Sequence, residues 1–211
     1  MLVEYIQRIL LTAPPVLLSL TVHEAAHAWA ASRMGDHTAR MLGRVSLNPI
    51  RHLDVLGTLM LFFSGLFGWA KPVPVNPRNL RNPAKAMMLV AVAGPLSNLM
   101  LAGAFALVQK LLPVALPLIT NSPGVYMPIA IMIELGVLIN ISLAVFNLIP
   151  IPPLDGSKAL SYLLPPQKAY AFSRVEPYGF IILLVLITTG VVNRIVSPLV
   201  FLLAGLLTGG A

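Results

Sequence analysis

PVLLSLTVHEAAHAWAAS, Pro15 to Ser32, is an apolar run with two histidines and a glutamate in its middle. Read as a helix, it sets His23 and His27 one turn apart on one face. That spacing brings two imidazole nitrogens to one tetrahedral zinc ion. Glu24 follows the first histidine, placed to take a proton from an activated water and return it to a leaving amine. His23-Glu24-Ala25-Ala26-His27 is the zinc-hydrolase helix pattern. The rival reading is a chance match, but such matches fall mostly on solvated helices. In a membrane helix a charged side chain costs on the order of 2.5–3.5 kcal/mol at the centre, and a bound cation offsets that cost.

Composition agrees that the run lies in a membrane. The chain has 211 residues, 57% hydrophobic and only 10% charged, with mean hydropathy +0.86; soluble domains average about 25% charged. The expectation is an all-α polytopic membrane protein forming one integral membrane catalytic domain, residues 1–211. Its core runs over residues 6–156, and a C-terminal helical hairpin covers about 178–208. There is no cysteine, which excludes disulfides and thiolate ligands, so any metal must be held by His, Asp, Glu or water. A net charge of +7 and a pI near 10.2 invite a nucleic-acid reading. The basic residues lie in loops between apolar segments, which points instead to anionic lipid headgroups and no nucleic acid. The N-terminus, MLVEYIQR, shows neither a basic leader region nor a small-residue cleavage site, so no cleaved signal peptide is expected.

In chain order, the first segment runs from about Ile6 to Met34, with Pro14 and Pro15 bending it or starting its regular part. Residues 35–52 are polar and basic, and His37 and His52 are read there as exposed loop histidines. Leu53 to Trp69 is apolar but barely long enough to span. The stretch from Arg33 to Lys85 holds eight of the fourteen Lys and Arg residues. A crossing by 53–69 would split these between the two sides of the membrane, so a re-entrant segment is the better reading. Such backbone survives at depth only where protein buries it or it lines a cavity. Lys71 to Pro77 is Pro-rich and extended.

A segment from about Ala84 to Leu112 contains Gly94-Pro95, which loosens the helix, and Asn98, an amide inside the bilayer. The next, about Pro128 to Ile149, carries Glu134, read as a headgroup-level residue, and Asn140 and Asn147 on one face. NLIPIPPLDG, Asn147 to Gly156, then packs three prolines into four positions, predicting extended backbone and an Asp155-Gly156 turn. Asp155 is the strong candidate for a third ligand. Two histidines and one carboxylate leave a fourth position open to water, as in catalytic zinc. Glu134 is the alternative third ligand, discounted because it falls toward the opposite membrane face. Residues 157–177 are a basic loop, and short apolar stretches, Tyr178 to Val192 and Ile195 to Leu207, flank Asn193-Arg194. With the N-terminus outside, His27 lies about 9 Å of helix rise from Arg33. Asp155 then falls at the same cytoplasmic end.

At these residues the sequence resembles the site-2 protease family of intramembrane zinc metalloproteases. Three motifs carry the likeness in order: His23 to His27, Gly94 to Asn98, and Asn147 to Gly156. The resemblance implies one Zn²⁺ per chain on His23, His27 and Asp155, with Glu24 as general base and acid. It implies that Asn98 and Asn147 lie near the substrate, holding the peptide or its oxyanion. It also implies about four to six membrane segments with a re-entrant or β-like element between the first two motifs, in a catalytic-core form without PDZ or CBS domains. The implied activity is hydrolysis of peptide bonds in or near transmembrane segments. The implied partners are a single-span membrane-protein substrate and the lipid bilayer, in a prokaryotic inner membrane with the active site toward the cytoplasm. Oligomeric state stays open. Two other classes compete. A metal or proton transporter needs a path of membrane acids, and only Glu24, Glu134 and Asp155 qualify, with no inverted repeat. A non-proteolytic membrane scaffold is expected to have lost a ligand or Glu24, and none is missing.

Overall fold

Helix α1, Leu2–Arg33, carries the histidine pair and continues through Pro14 and Pro15 without a break. A proline inside a helix removes one ladder bond. Here Ser19 donates its hydroxyl to the Pro15 carbonyl at 2.6 Å, and the helix resumes at once. The computed structural model describes residues 2–64, 68–116 and 122–210. After α1 come α2 (Thr38–Met41), α3 (Val55–Ser64), α4 (Pro83–Ala115), α5 (Pro123–Asn147), α6 (Asp155–Leu163), α7 (Pro166–Ser173), α8 (Gly179–Thr188) and α9 (Val191–Thr208). Among the described residues, five runs are long and apolar enough to cross a membrane: Leu2–Arg33, Pro83–Ala115, Pro123–Asn147, Pro166–Thr188 and Val191–Thr208. The molecule is thus an all-α polytopic membrane protein.

Helix α4 is the hub, packed against α1, α5, α6 and α9. Its contacts with α1 are made by small residues, Ala30 and Ala31 against Val90. Where lipid is as apolar as the side chains, close backbone approach and dispersion hold helices together, and small residues permit both. Ala102 and Ala106 of α4, Val137 and Ile141 of α5 and Val200 of α9 form the deepest cluster. Gly94-Pro95 does not loosen α4; Pro95 is buried and the helix runs on past it.

The segment between α1 and α4 returns on itself. Helix α3 has ten residues, about 15 Å of rise against a hydrocarbon core of about 30 Å. The flanks meet again: Leu53 and Ala70 form an antiparallel bridge, and the Lys71 amide donates to the His52 carbonyl at 2.8 Å. The two flanks thus lie side by side, as a re-entrant segment requires; residues 65–67 lie outside the described residues. That single bridge is the only β pairing among the described residues, so no β-sheet forms. Residues 70–76 follow as an extended strap.

Two other boundaries differ from expectation. The C-terminal pair turns at Thr189-Gly190, where Gly190 takes a positive φ of 75°, so Asn193 and Arg194 fall in the first turns of α9. The chain from Leu148 to Leu154 is not extended but turn-rich, with Ile149 and Ile151 donating to the Phe146 and Ile149 carbonyls. Asp155 and Gly156 open α6 instead of forming an isolated turn. The close pass explains the glycine: a Cβ on Gly156 would stand 2.2 Å from the Leu148 carbonyl oxygen.

Candidate metal centre

The histidine pair of α1 meets Asp155 at the start of α6, 128 residues on from His27. The three Nε2 and Oδ2 atoms form a nearly equilateral triangle: His23–Asp155 3.0 Å, His27–Asp155 3.1 Å and His23–His27 3.0 Å. All three residues are buried, at 5, 7 and 6% exposure. A tetrahedral zinc ion with bonds of about 2.0–2.1 Å spaces its ligands by about 3.3–3.4 Å, so the triangle needs only a few tenths of an ångström of relaxation.

The hydrogen bonds behind the rings test whether a cation belongs there. His27 Nδ1 donates to the Val90 carbonyl at 2.7 Å, and His23 Nδ1 donates to the Asn98 carbonyl oxygen. With the proton of each ring committed at Nδ1, both Nε2 atoms present lone pairs. They face each other and a carboxylate oxygen, three acceptors with no proton to share. A buried cluster of that kind fits a cation held between the atoms. Gly94 of α4 lies against the rings: a Cβ there would stand 2.4 Å from His27 Nε2 and 2.6 Å from His23 Cε1. Asp155 sits in the first turn of α6, where the helix dipole favours its negative charge. Its other oxygen is 3.3 Å from the half-exposed Lys158 ammonium, leaving Oδ2 for the cluster. Among the described residues this is the one group of three or more His, Asp or Glu side chains so arranged, and Glu134 is not in it.

A cavity of about 430 Å³ opens on the cluster, lined also by Glu24, Asn147, Lys158 and the strap residues Val73 and Val75. Asn147 lines it with its amide donating to the Leu143 carbonyl at 2.9 Å. Asn98 does not face substrate as expected. It is fully buried, its amide donates to the Ser19 carbonyl and to Asn140 Oδ1, and its oxygen receives the His23 proton. Its task is to orient His23. A second, largely apolar cavity of about 670 Å³ lies between α1, α5 and the α8–α9 corner and shares Leu20, Trp69, Leu143 and Phe146 with the first.

The sequence profile described as Peptidase family M50 matches residues 122–189, which include Asp155. "Putative zinc metalloprotease YwhC" of Bacillus subtilis (strain 168) is 42% identical over 186 residues, 87% of this chain and 83% of its own length. The chain belongs to peptidase family M50. "Putative zinc metalloprotease Rip2" of Mycolicibacterium smegmatis is 31% identical over 205 residues, 94% of this chain and 74% of that protein. No solved structure matches the chain with significance. The site-2 protease likeness carried by the three motifs is the same family. In this M50 chain the profile covers α5 to α8 but not α1, so the fold itself joins the histidines to the matched region.

Several residues of this M50 centre escaped the sequence reading. Arg44, from the loop after α2, is 5% exposed; it donates to the Lys71 and Pro72 carbonyls and stands 3.9 Å from Glu24 Oε2. His52 is not an exposed loop histidine but 1% exposed, with Nε2 donating to the Ser46 carbonyl at 2.8 Å. Burial lowers its pKa, the Ser46 carbonyl opposes this, and nearby Arg44 lowers it further, so the ring stays neutral at physiological pH. His37 is exposed and pairs with the Ser32 hydroxyl. Only spacing marks a ligand pair in sequence; Arg44 and His52 carry no such mark, because folded loops bring them to the centre.

Proposed function

We propose that this chain is a zinc metalloprotease that cuts peptide bonds in membrane-embedded segments of other proteins. The observation that carries the reading is the buried triangle of His23, His27 and Asp155, lone pairs facing, with Glu24 on the wall of the same cavity. A zinc ion bound by the three would supply Lewis acidity to the scissile carbonyl and acidity to a water. Glu24 accepts the proton of the attacking water and hands it to the amine as the C–N bond breaks, yielding a carboxylate and an amine. Asn147, on the cavity wall, is placed to hold the peptide or its oxyanion, while Asn98 and Val90 hold the imidazoles in the tautomer that binds metal.

The adjoining apolar cavity supports a membrane-embedded substrate, since it lies between α1 and α5 and shares Leu20, Trp69, Leu143 and Phe146 with the cavity at the centre. The strap 70–76 is extended and lines the cavity, so an unwound stretch of substrate can add to it as a strand. Eight basic residues between Arg33 and Lys85, with Lys158, Lys168 and Arg174, lie in or beside the loops at the metal end. That bias supports a cell-membrane protein with its active site toward the cytoplasm.

The test is cleavage of a single-span reporter by the full chain reconstituted in liposomes, with and without a zinc chelator. Wild type cleaves and chelation stops it. Glu24→Gln keeps its zinc and loses about 10²–10⁴-fold in rate, the usual worth of a general acid–base group. Cleavage by Glu24→Gln at the wild-type rate would rule the mechanism out.

A further inference from the structure

We propose that Arg44 is a positioning residue for the reaction, tying the strap that lines the cavity to the Glu24 carboxylate; the inference rests on the protease reading above. A buried guanidinium is costly unless its N–H groups and its charge are met. Arg44 meets its charge and its terminal N–H groups in one specific way, while its Nε finds no hydrogen-bond partner among the described residues. One terminal nitrogen donates to the Pro72 carbonyl at 3.2 Å, and the other donates to the Lys71 carbonyl and faces Glu24 Oε2 at 3.9 Å. The other buried acid of this region, Asp36, is spent on Thr38, Asn76 and Asn79. The cation that holds the strap is therefore balanced by the carboxylate that carries the proton.

The geometry explains why an arginine stands there. Pro72 and Pro74 have no N–H, so the strap cannot close a ladder on that side, and Leu53–Ala70 is its one bridge among the described residues. A planar fork can engage two successive carbonyls and a carboxylate together; a lysine ammonium offers only a point charge on a flexible stem. A fork held on the backbone also holds its charge in place. Glu24 is then kept at the strap side of the cavity, where a bound peptide has to lie. A 1 Å displacement of such a group costs about 10²-fold in rate.

The test uses the full chain in detergent, whose lack of cysteine permits a single spin label at Lys71→Cys on the exposed side of the strap. Three readouts are taken for wild type, Arg44→Ala and Arg44→Lys: zinc per chain, label mobility, and cleavage of an apolar fluorogenic peptide by chains without the label. For Arg44→Ala we expect zinc retained, the label more mobile, and kcat reduced about 10²-fold. Guanidinium in the bath should restore part of kcat and of the label's restraint, and methylammonium should restore neither. Arg44→Lys, the variant to use if Arg44→Ala does not fold, keeps the charge and should free the label with a smaller loss of kcat. Loss of zinc in both variants would overturn the proposal by making Arg44 a structural residue. So would an effect on KM alone, which would make it a buckle for the strap without a part in Glu24's work, or an unchanged label. A wild-type chain that binds zinc but cuts nothing would refute the protease reading, and with it Arg44's part in the reaction, while the label would still report the tie.

Discussion

Gly94 shows how narrowly the metal centre is built at the level of single residues. By helix propensity alone, alanine in the interior of α4 is better than glycine by about 1 kcal/mol. At this position the added carbon would fall 2.4 Å from the His27 nitrogen that faces the cluster. Gly94→Ala should therefore leave α4 helical and weaken zinc binding by at least the 10–100-fold typical of displaced outer partners of metal ligands. A competitive chelator titration with helicity followed in parallel checks this; unchanged zinc affinity would mean that the rings can shift without cost. The contrast with Asn98 is instructive. Its place in the second motif, Gly94 to Asn98, made it a candidate for substrate contact, yet both ends of its amide are occupied within the protein. A motif shows which residues matter to a site, and the hydrogen bonds decide what each one does.

At the level of elements, the segment between α1 and α4 is pinned by one acid. Asp36 is fully buried; it accepts from the Thr38 amide and hydroxyl, the Asn76 amide and the Asn79 side chain, and so fastens the end of the strap to the end of α1. Burial by itself would raise its pKa; the bonds from Thr38 and Asn79, joined by the two backbone amides, outweigh it and bring the value below the ordinary 3.8. A group whose pKa is depressed by folding adds stability above its unfolded value, and that stability is lost as pH falls through the folded one. The strap should accordingly loosen below about pH 3.8, read as faster amide exchange over residues 70–80. In Asp36→Asn the strap should already be loose at neutral pH, at a cost of roughly 1.5–3 kcal/mol for the charged hydrogen bonds lost. Identical exchange in wild type and Asp36→Asn would remove Asp36 from this role. A return of the chain over residues 53–69 is what the sequence predicts, because eight basic side chains cannot be divided between two faces of a membrane without breaking charge asymmetry, and the meeting of Leu53 with Ala70 agrees with it. The form of the return was not legible. An extended, proline-rich run gives no sign of whether it pairs with a strand or is held, as here, by one arginine, one histidine carbonyl and one aspartate.

For the whole molecule, a metal ion held by the candidate centre would cross-link distant parts of one chain. His23 and His27 belong to α1 and Asp155 to α6, and the sequence between them builds the re-entrant segment, α4 and α5. That the two histidines and the acid should meet was readable, since a buried acid and two helical histidines are costly in lipid unless they do. Their meeting at one depth followed from where the basic loops lie. What sequence could not show is that α4 acts as the floor of the site, because Gly94, Val90 and Asn98 do so through close approach and backbone carbonyls. A cross-link of this kind couples binding to folding: a ligand that binds only the folded chain adds RT ln(1 + [L]/Kd), about 4 kcal/mol at 1,000 times Kd. Zinc-loaded protein in detergent should therefore melt well above chelated protein, with the gap growing as free zinc rises. Asp155→Ala and His23→Ala should each close the gap, although they stand 132 residues apart. Glu24→Gln should keep it, because that carboxylate lines the cavity without belonging to the triangle. If Asp155→Ala kept a zinc-dependent melting point equal to wild type, the histidines alone would hold the ion and the joining of α1 to α6 would rest on packing instead.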